Sequence, residues 1–241
     1  MKIVYPICCG MDIHKKIIVA TIATTDSKGI TTYNQSTFST MDSDVIKLRD
    51  WLLKFNCKHA CMESTGKYWI PIWNILESHI KLTLAHPKYT KSIKGKKTDK
   101  KDSKWIADLF KHDLIPGSFI PPKDIRQLRD LSRYCFKLTY IKVSEKNRIQ
   151  NCFTMSNIRI DSVVSDPFGK SARLIINDIL NNPDFKPEDS TSLLKKSLIK
   201  KKDQIIEALQ DVNIESDQHL KMDIAYNHID QIDEYIKKIE K

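Results

Sequence analysis

The sequence predicts an α/β domain followed by an all-helical region, and three observations lead to this prediction. Over the first 115 residues, short runs of apolar and β-branched residues alternate with segments of helical periodicity. The segment 115–122 then interrupts the pattern with Pro116-Gly117 and Pro121-Pro122. Beyond it, apolar residues recur only at helical spacing. We therefore predict a first domain over 1–115 and a helical region over 122–241.

The predicted elements of the first domain follow the order strand, strand, strand, helix, strand, helix, strand, helix. Turn residues at Ser27-Lys28-Gly29 separate the second and third strands, so that the first three form a meander. The later helices lie between strands and serve as crossover connections. The predicted strands are 3–11, 17–24, 30–39, 59–62 and 80–85, and the predicted helices are 42–55, 68–78 and 100–112. This is the order of the ribonuclease H fold, a mixed sheet with flanking helices.

The helical region begins with a long basic helix and ends with a coiled-coil pattern. An apolar stripe runs for over four turns of the first helix, and arginines and lysines cover its other faces. The stripe consists of Ile125, Leu128, Leu131, Cys135, Leu138 and Ile141. Shorter helices are predicted over 171–180 and 189–209. The last helix, 217–241, carries a two-heptad seam formed by Ala225, Ile229, Ile232, Ile236 and Ile239.

The charge of the chain predicts a polyanionic partner. The 241 residues include 40 Lys and Arg against 30 Asp and Glu, which gives a formal net charge of +10. No stretch without Lys, Arg, Asp or Glu exceeds 13 residues, the length of 29–41, whereas a membrane span needs about 20 apolar residues. The N-terminus has no cleavage site of the signal-peptide type. We therefore expect a cytoplasmic protein without a membrane partner.

Several common site types are excluded by their missing motifs. The six cysteines contain no C-x-x-C pair, and the seven histidines have no zinc-ligand spacing. Buried, reduced thiols are the preferred interpretation of the cysteines. With six glycines in the whole chain, neither G-x-G-x-x-G nor G-x-x-x-x-G-K-[ST] occurs. A nucleotide-hydrolysing motor is therefore disfavoured.

Four acidic residues fall where the predicted fold could bring them together. Asp12 lies at the end of the first strand, Glu63 at the end of the fourth, and Asp99 and Asp102 share one face at the start of a helix. Four carboxylates can hold two divalent ions for phosphodiester chemistry. An acid at a helix start is also an ordinary cap or dipole partner, which suits Asp99. Asp12 favours a site, because a buried unpaired carboxylate is costly.

The segment around the last two acids is the most basic in the chain. Nine lysines against three Asp give the window 88–111 a net charge of +6. Such lysines could bring phosphates to the acids, although a lysine run is more often a solvated face. Candidate nucleic-acid contacts in this window and in the long basic helix are Lys94, Lys96, Lys97, Lys100, Lys101, Lys104, Arg126, Arg129, Arg133 and Arg148.

Three sequence blocks resemble those of the DEDD insertion-sequence transposases, the IS one-ten family, which also includes the Piv-type DNA invertases. The blocks are GMDIHK at residues 10–15, MESTGKYW at 62–69 and KTDKKDS at 97–103. Further similar stretches lie at 131–134, 146–150 and 164–171. The resemblance extends over almost the whole chain.

This resemblance implies a RuvC-like domain in which Asp12, Glu63, Asp99 and Asp102 form an acidic tetrad that holds Mg²⁺ or Mn²⁺. It implies DNA as substrate, a guide RNA encoded by the element, assembly through the helical region, and a bacterial, nucleoid-associated location. Family members also carry a second, C-terminal domain with a nucleophilic serine. Since no candidate for that serine occurs in the sequence, we expect the chain to be the N-terminal part of such an enzyme.

Two alternatives to this interpretation remain open. The chain could be a non-catalytic module that binds nucleic acid and dimerises. It could also be a stand-alone junction-resolving nuclease of the same fold. Metal-dependent cleavage by the chain, and its loss on substitution of Asp12, would separate these possibilities.

Overall fold

The computed structural model describes residues 1–64, 66–90 and 99–241, without the side chains of residues 64, 99, 100, 196 and 197. The chain divides into two compact units, Met1–Arg126 and Gln127–Lys241. The described elements of the first unit are β1 (Ile7–Ile13), β2 (Ile17–Thr25), β3 (Thr31–Ser39), α1 (Asp42–Lys54), β4 (His59–Ser64), α2 (Trp69–Leu76), β5 (Lys81–Ala85), α3 (Pro87–Thr90) and α4 (Asp99–Lys111). A long helix, α5 (Lys123–Met155), begins at the end of this unit.

The five strands form one mixed sheet in the order β3-β2-β1-β4-β5. β2 is antiparallel to both β1 and β3, whereas β4 is parallel to both β1 and β5. This is the ribonuclease H-like topology that the order of elements predicts, so the predicted α/β class is confirmed. The meander provides the antiparallel half of the sheet, and the helices between the later strands provide the crossovers that parallel pairing requires.

The first strand differs from its prediction at both ends. Residues 3–6 lie outside β1, which begins at Ile7. The backbone N–H groups of Val4 and Tyr5 donate to the carbonyl of Lys111 at the end of α4, at 2.8 and 3.1 Å, and the carbonyl of Pro6 accepts from the N–H of Thr25, at 2.7 Å. At the other end, β1 continues to Ile13, and β4 likewise continues to Ser64. Both strands therefore extend past the acids that were predicted to lie at their ends.

Each face of the sheet is covered by helices. Alternate residues of β1, including Cys9, Met11 and Ile13, pack with the buried stripes of α1 and α2 in one core. The other face forms a smaller core with α4, to which Cys8, Cys61 and Phe110 contribute. All six cysteines are free thiols, and five of them are buried. Burial raises the pKa of Cys8 and of Cys57 to about 12, as expected for inert core thiols.

Helix α4 packs tightly against β1 at Gly10. A Cβ atom at this position would lie 2.3 Å from the backbone nitrogen of Ala107 and 2.3 Å from the backbone oxygen of Ser103. Neither atom belongs to a side chain that could rotate away. The absence of a side chain at Gly10 therefore sets how closely α4 packs on β1, as is typical of a strand glycine that faces another backbone.

We predict that Gly10→Ala destabilises the first unit by about 1–3 kcal/mol, because the added methyl group must displace the backbone of α4. The measurement is the free energy of unfolding from urea denaturation. Gly117→Ala is the matched control, since its Cβ would meet only the side-chain methyl of Thr83, at 3.0 Å. Equal losses for the two variants would contradict the assignment of a special role to Gly10.

The second unit is helical. Its described elements are the remainder of α5, then α6 (Lys170–Asn181), α7 (Lys202–Ala208) and α8 (Ser216–Ile239), with short 3-10 helices at Ile160–Ser162, Pro187–Leu193 and Lys196–Lys201. Within this described part, no helix has the length and apolar character that a membrane span requires. The predicted single helix over 189–209 is wrong. Ser190 and Ser192 donate their hydroxyls to nearby backbone carbonyls, and the backbone is extended at Leu194 and Lys195, which interrupts a continuous helix.

The seam predicted on the last helix packs inside this unit. Ala225, Ile229 and Ile232 are buried, and the first two share a core with residues of α5 and α6. Helices α5 and α8 run antiparallel, because Lys142 pairs with Asp233 whereas the later Glu145 pairs with His228. The apolar stripe predicted on α5 is only partly buried.

Most residues of that stripe are exposed. Leu138 is 6% exposed, whereas Leu128 and Leu131 are 60% and 51% exposed. Ile125 and Ile141 are exposed as well. The predicted apolar stripe is thus largely exposed, since the ion pairs of α5 with α8 lie at the later turns of α5.

Candidate active site

Asp12 and Glu63 lie directly beside each other on the two central parallel strands. The register of β1 and β4 pairs Asp12 with Glu63, between the pairs Met11 with Met62 and Ile13 with Ser64. Paired residues of neighbouring strands point to the same face, and such strands lie about 4.8 Å apart. Asp12 is 9% exposed, and Glu63 is partly exposed. Two carboxylates therefore share one position on the sheet, on the face that α4 covers.

His14 is a direct partner of this acidic pair. Its Nε2 lies 3.2 Å from Oδ2 of Asp12, while its side chain remains 42% exposed. The two residues are two positions apart in sequence, so they lie on the same side of the extended chain. His14 is not among the predicted site residues, although its period-two spacing from Asp12 was a usable signal.

A partly buried polar network anchors the first turns of α4 on the sheet. The hydroxyls of Thr21 and Ser103 are 2.8 Å apart, and the side-chain amide of Gln35 donates to both, at 2.8 and 3.2 Å. Thr21 is 1% exposed and Ser103 is fully buried. Because Ser103 follows Asp102 directly, this network fixes the backbone that carries the acid.

Helix α4 runs antiparallel to β1, so its beginning lies towards the edge where Asp12 is found. The end of the helix, at Lys111, bonds to Val4 and Tyr5, and its middle, at Ser103 and Ala107, contacts Gly10. Asp12 lies two strand residues beyond Gly10, a distance of about 7 Å. About four helical residues cover the same length, so the part of α4 level with Asp12 lies about four residues before Ser103. The first turn of α4, which carries positions 99 and 102, is therefore directed to the acidic pair.

The predicted tetrad is only partly assembled among the described residues. Asp12 and Glu63 are brought together, Asp102 is a partly exposed residue of α4, and the side chain of Asp99 lies outside the described part. Within the described residues, no group of three His, Cys, Asp or Glu side chains is close enough to hold a metal ion. The geometry therefore establishes a carboxylate pair with a histidine partner.

The predicted lysine contacts are only partly described. Lys94, Lys96 and Lys97 lie outside the described residues, as does the side chain of Lys100. Lys101 and Lys104 are exposed on α4. The Nζ of Lys104 lies 4.1 Å above the ring of Tyr33, which is a cation–π contact between α4 and the edge strand β3.

The four predicted arginine contacts have different surroundings. Arg129 and Arg133 are exposed on α5. Arg148 pairs with the buried Glu145. Arg126 donates to both carboxylate oxygens of Glu77, at 2.8 and 3.1 Å, and to the side-chain oxygen of Asn74, at 2.7 Å. Its guanidinium therefore ties the start of α5 to α2.

The Glu77 carboxylate accepts the hydrogen bonds from Arg126. The hydrogen bond from Arg126 is the main cause that lowers the pKa of Glu77, and a hydrogen bond from Trp73 acts in the same direction. Burial opposes both. The ionised carboxylate is therefore favoured in the folded state.

We predict that Arg126→Gln lowers the thermal midpoint of the first unit, whereas Arg129→Gln, on the exposed surface of the same helix, leaves it unchanged. Since the pKa of Glu77 is lowered by folding, its contribution is present above the unfolded pKa and is lost as pH falls through the folded pKa. Thermal melts at pH 7 and at about pH 3 should therefore show a difference between Arg126→Gln and the wild type that shrinks in acid. Equal melting of the two variants at pH 7 would contradict the structural role.

The fold and the acidic pair define a ribonuclease H-like domain with carboxylates on its two central strands. The family model of the DEDD transposases of the IS110 type, described as a transposase, matches residues 9–157. The chain belongs to this transposase family. No curated protein matches it.

The chain also has weak similarity to solved structures. RuvC of Thermus thermophilus is 10% identical with a TM-score of 0.35, over 46% of this chain and 99% of that chain. T. thermophilus RuvC in complex with a Holliday junction substrate is 8% identical with a TM-score of 0.34, over the same shares. The fowlpox virus resolvase with its substrate Holliday junction DNA is 18% identical with a TM-score of 0.29, over 45% of this chain and 75% of that chain.

Proposed function

We propose that this chain is the DNA-cleaving part of a DEDD transposase, and that it acts on phosphodiester bonds with the help of divalent ions. The observation that carries the proposal is the register of Asp12 with Glu63, which puts two carboxylates on one face of adjacent parallel strands. The matched family supports DNA transposition as the overall process. The family resemblance extends the proposal to a guide RNA and to a serine supplied by a further domain.

The donor set at this position fits a hard divalent cation. Mg²⁺ takes one or two carboxylates and keeps several waters, and Asp12 and Glu63 offer that number of carboxylates side by side. Asp99 and Asp102 are proposed as further ligands, because the first turn of α4 is directed to the same edge. When bound, two such ions would stabilise both the attacking and the leaving oxygen of a phosphodiester.

The other residues of the site hold these ligands in place. His14 contacts Asp12 and restricts the orientation of its carboxylate. The Thr21, Ser103 and Gln35 network fixes the backbone next to Asp102. Gly10 lets α4 approach the strand that carries Asp12. Ligands held on rigid elements lose little entropy when they bind, which favours a preorganised site.

The distribution of charge supports DNA as the substrate of this unit. The first unit contains 21 Lys and Arg against 12 Asp and Glu, a net charge of +9, whereas the second contains 19 against 18, a net charge of +1. Almost the whole excess of positive charge therefore belongs to the unit with the acidic pair. A polyanion is attracted to such a unit even though the site itself is acidic.

We predict that Asp12→Asn and Glu63→Gln each abolish the rise in thermal stability on adding Mg²⁺ or Mn²⁺, and also abolish metal-dependent DNA cleavage. A hundredfold excess of ion over its dissociation constant stabilises the wild type by about 2.7 kcal/mol. Thermal melts with and without ion measure this directly. Asp50→Asn is the control, since Asp50 is an exposed acid of α1.

The outcomes separate the candidate functions. A metal response that persists in both variants would contradict the site. Nucleic-acid binding without any metal response in the wild type would favour the non-catalytic module. Cleavage of branched DNA by the chain alone, lost in Asp12→Asn, would favour a junction-resolving nuclease.

We also propose that two copies of the chain associate through the N-terminal half of α5. Its heptad positions continue without interruption through Leu128, Leu131, Cys135, Leu138, Lys142, Glu145, Ile149 and Cys152. From Leu138 on, these positions are buried except for the partly exposed Lys142, whereas Leu128 and Leu131 are exposed on the same seam. The seam thus continues an established packing surface, and the same segment of a second copy can cover it.

We predict that Leu128→Asp combined with Leu131→Asp converts a dimer into a monomer while leaving the fold intact, because both residues are exposed in the single chain. Sedimentation equilibrium gives the mass, and circular dichroism checks the fold. Leu220→Asp with Ile224→Asp, two exposed positions of α8, is the control. A wild type that stays monomeric at about 50 μM, a concentration that populates a dimer of micromolar affinity, would overturn the proposal.

A further inference from the structure

The side of α5 roughly opposite the heptad seam carries two aromatic rings among three cations. Arg129, Arg133, Phe136, Lys137 and Tyr140 are spaced by four, three, one and three residues, which places them on one helix face. We call these five residues the aromatic–cationic face. At 1.5 Å per residue it extends for about 16 Å along the helix.

The two rings of this face do not contribute to the core. Phe136 and Tyr140 are 63% and 62% exposed, and neither belongs to a core cluster. Their ring centroids lie 5.2 Å apart with the planes at 70°, an edge-to-face pair. An exposed aromatic pair offers apolar surface to a partner at little cost in side-chain entropy, since the rings already restrain one another.

The cations of this face differ from two other cations of the same helix in their ion pairing. Two other cations of α5 form ion pairs, Lys142 with Asp233 and Arg148 with Glu145. Arg129, Arg133 and Lys137 are not among the ion pairs that the described residues form, and all three are exposed. The face therefore carries three cations, and the nearest acid along the helix is Asp130, next to Arg129.

We propose that the aromatic–cationic face binds unpaired nucleic acid, with bases stacked on Phe136 and Tyr140 and phosphates held by Arg129, Arg133 and Lys137. Alternating rings and cations match the two chemical parts of a single strand, which has flat bases and a charged backbone. A duplex keeps its bases stacked inside and could use only the cations. A second copy of this face would oppose three cations with three more, which disfavours self-association here.

This site differs from the carboxylate pair in its residues and in its chemistry. It belongs to the helical unit, whose residues 156–241 contain 13 Lys and Arg against 16 Asp and Glu, so the positive charge of α5 is a local feature of this helix. Binding here does not require the proposed cleavage activity. The two proposals can therefore fail separately.

The test compares the affinity of the full chain for a labelled oligothymidylate of about 20 nucleotides and for a duplex of equal length, measured by fluorescence anisotropy. For Phe136→Ala with Tyr140→Ala we expect at least about a tenfold loss of affinity for the single strand and less than about a twofold loss for the duplex. Phe136→Trp with Tyr140→Trp should retain the affinity. Tyr235→Ala, which removes an exposed ring of α8, should have no effect.

The charges are tested through the salt dependence of the same binding. Replacement of Arg129, Arg133 and Lys137 by Gln should lower the slope of log affinity against log salt for the single strand by about 2, since each phosphate contact contributes about 0.7.

Phe136→Leu with Tyr140→Leu serves as a second variant without rings that keeps apolar bulk, so that a stability loss in the alanine variant does not obscure the result.

Three results would overturn the proposal. The first is unchanged affinity for the single strand in both the double alanine variant and the double leucine variant of Phe136 and Tyr140. The second is dissociation of an oligomer on substitution of the rings, which would make the face a protein interface. The third is preferential loss of binding to phosphatidylglycerol vesicles with oligonucleotide binding unchanged. Asp12→Asn should bind the oligothymidylate normally, which separates this test from that of the cleavage site.

Discussion

The close approach of α4 to β1 at Gly10 is the constraint on which the candidate site depends. A helix packed on a sheet is usually held off by the side chains of both elements, whereas here the helix backbone meets a strand residue without a side chain. The Thr21, Ser103 and Gln35 hydrogen bonds then fix the rotation and position of the helix. Since Asp102 and Asp99 are in the first turn of α4, the same contacts decide where those acids can lie.

The parallel pairing of β1 with β4 is the second requirement. It places Asp12 opposite Glu63, and a slip of one residue would send one carboxylate to the opposite face of the sheet. The apolar neighbours Met11, Ile13 and Met62 are fully buried on the other face, so that such a slip would also expose the core. The hydrophobic pattern thus specifies the register, and the register in turn places the two acids side by side.

The helical unit shows how one long helix can present two different surfaces. One side of α5 carries a heptad seam that is buried against the rest of the unit in its later turns and exposed in its earlier turns. The other side carries the aromatic–cationic face. Because the two sides point in roughly opposite directions, association of two copies and binding of a single strand would not compete for the same residues.

The sequence by itself determined the order of elements, the ribonuclease H-like class, the positions of Asp12 and Glu63 on central strands and the family. These follow from local periodicity and from motif spacing, which depend only on neighbours along the chain. The tertiary structure decided which strands are neighbours, that His14 contacts Asp12, and that Arg126 bonds to Glu77. It also decided that Leu138 is the one buried residue of the α5 stripe. Periodicity identifies the apolar face of a helix, but only the position of other elements decides whether that face is covered. The same reason explains the exposed Leu128 and Leu131, since α8 packs on the later turns of α5 and not on the earlier ones.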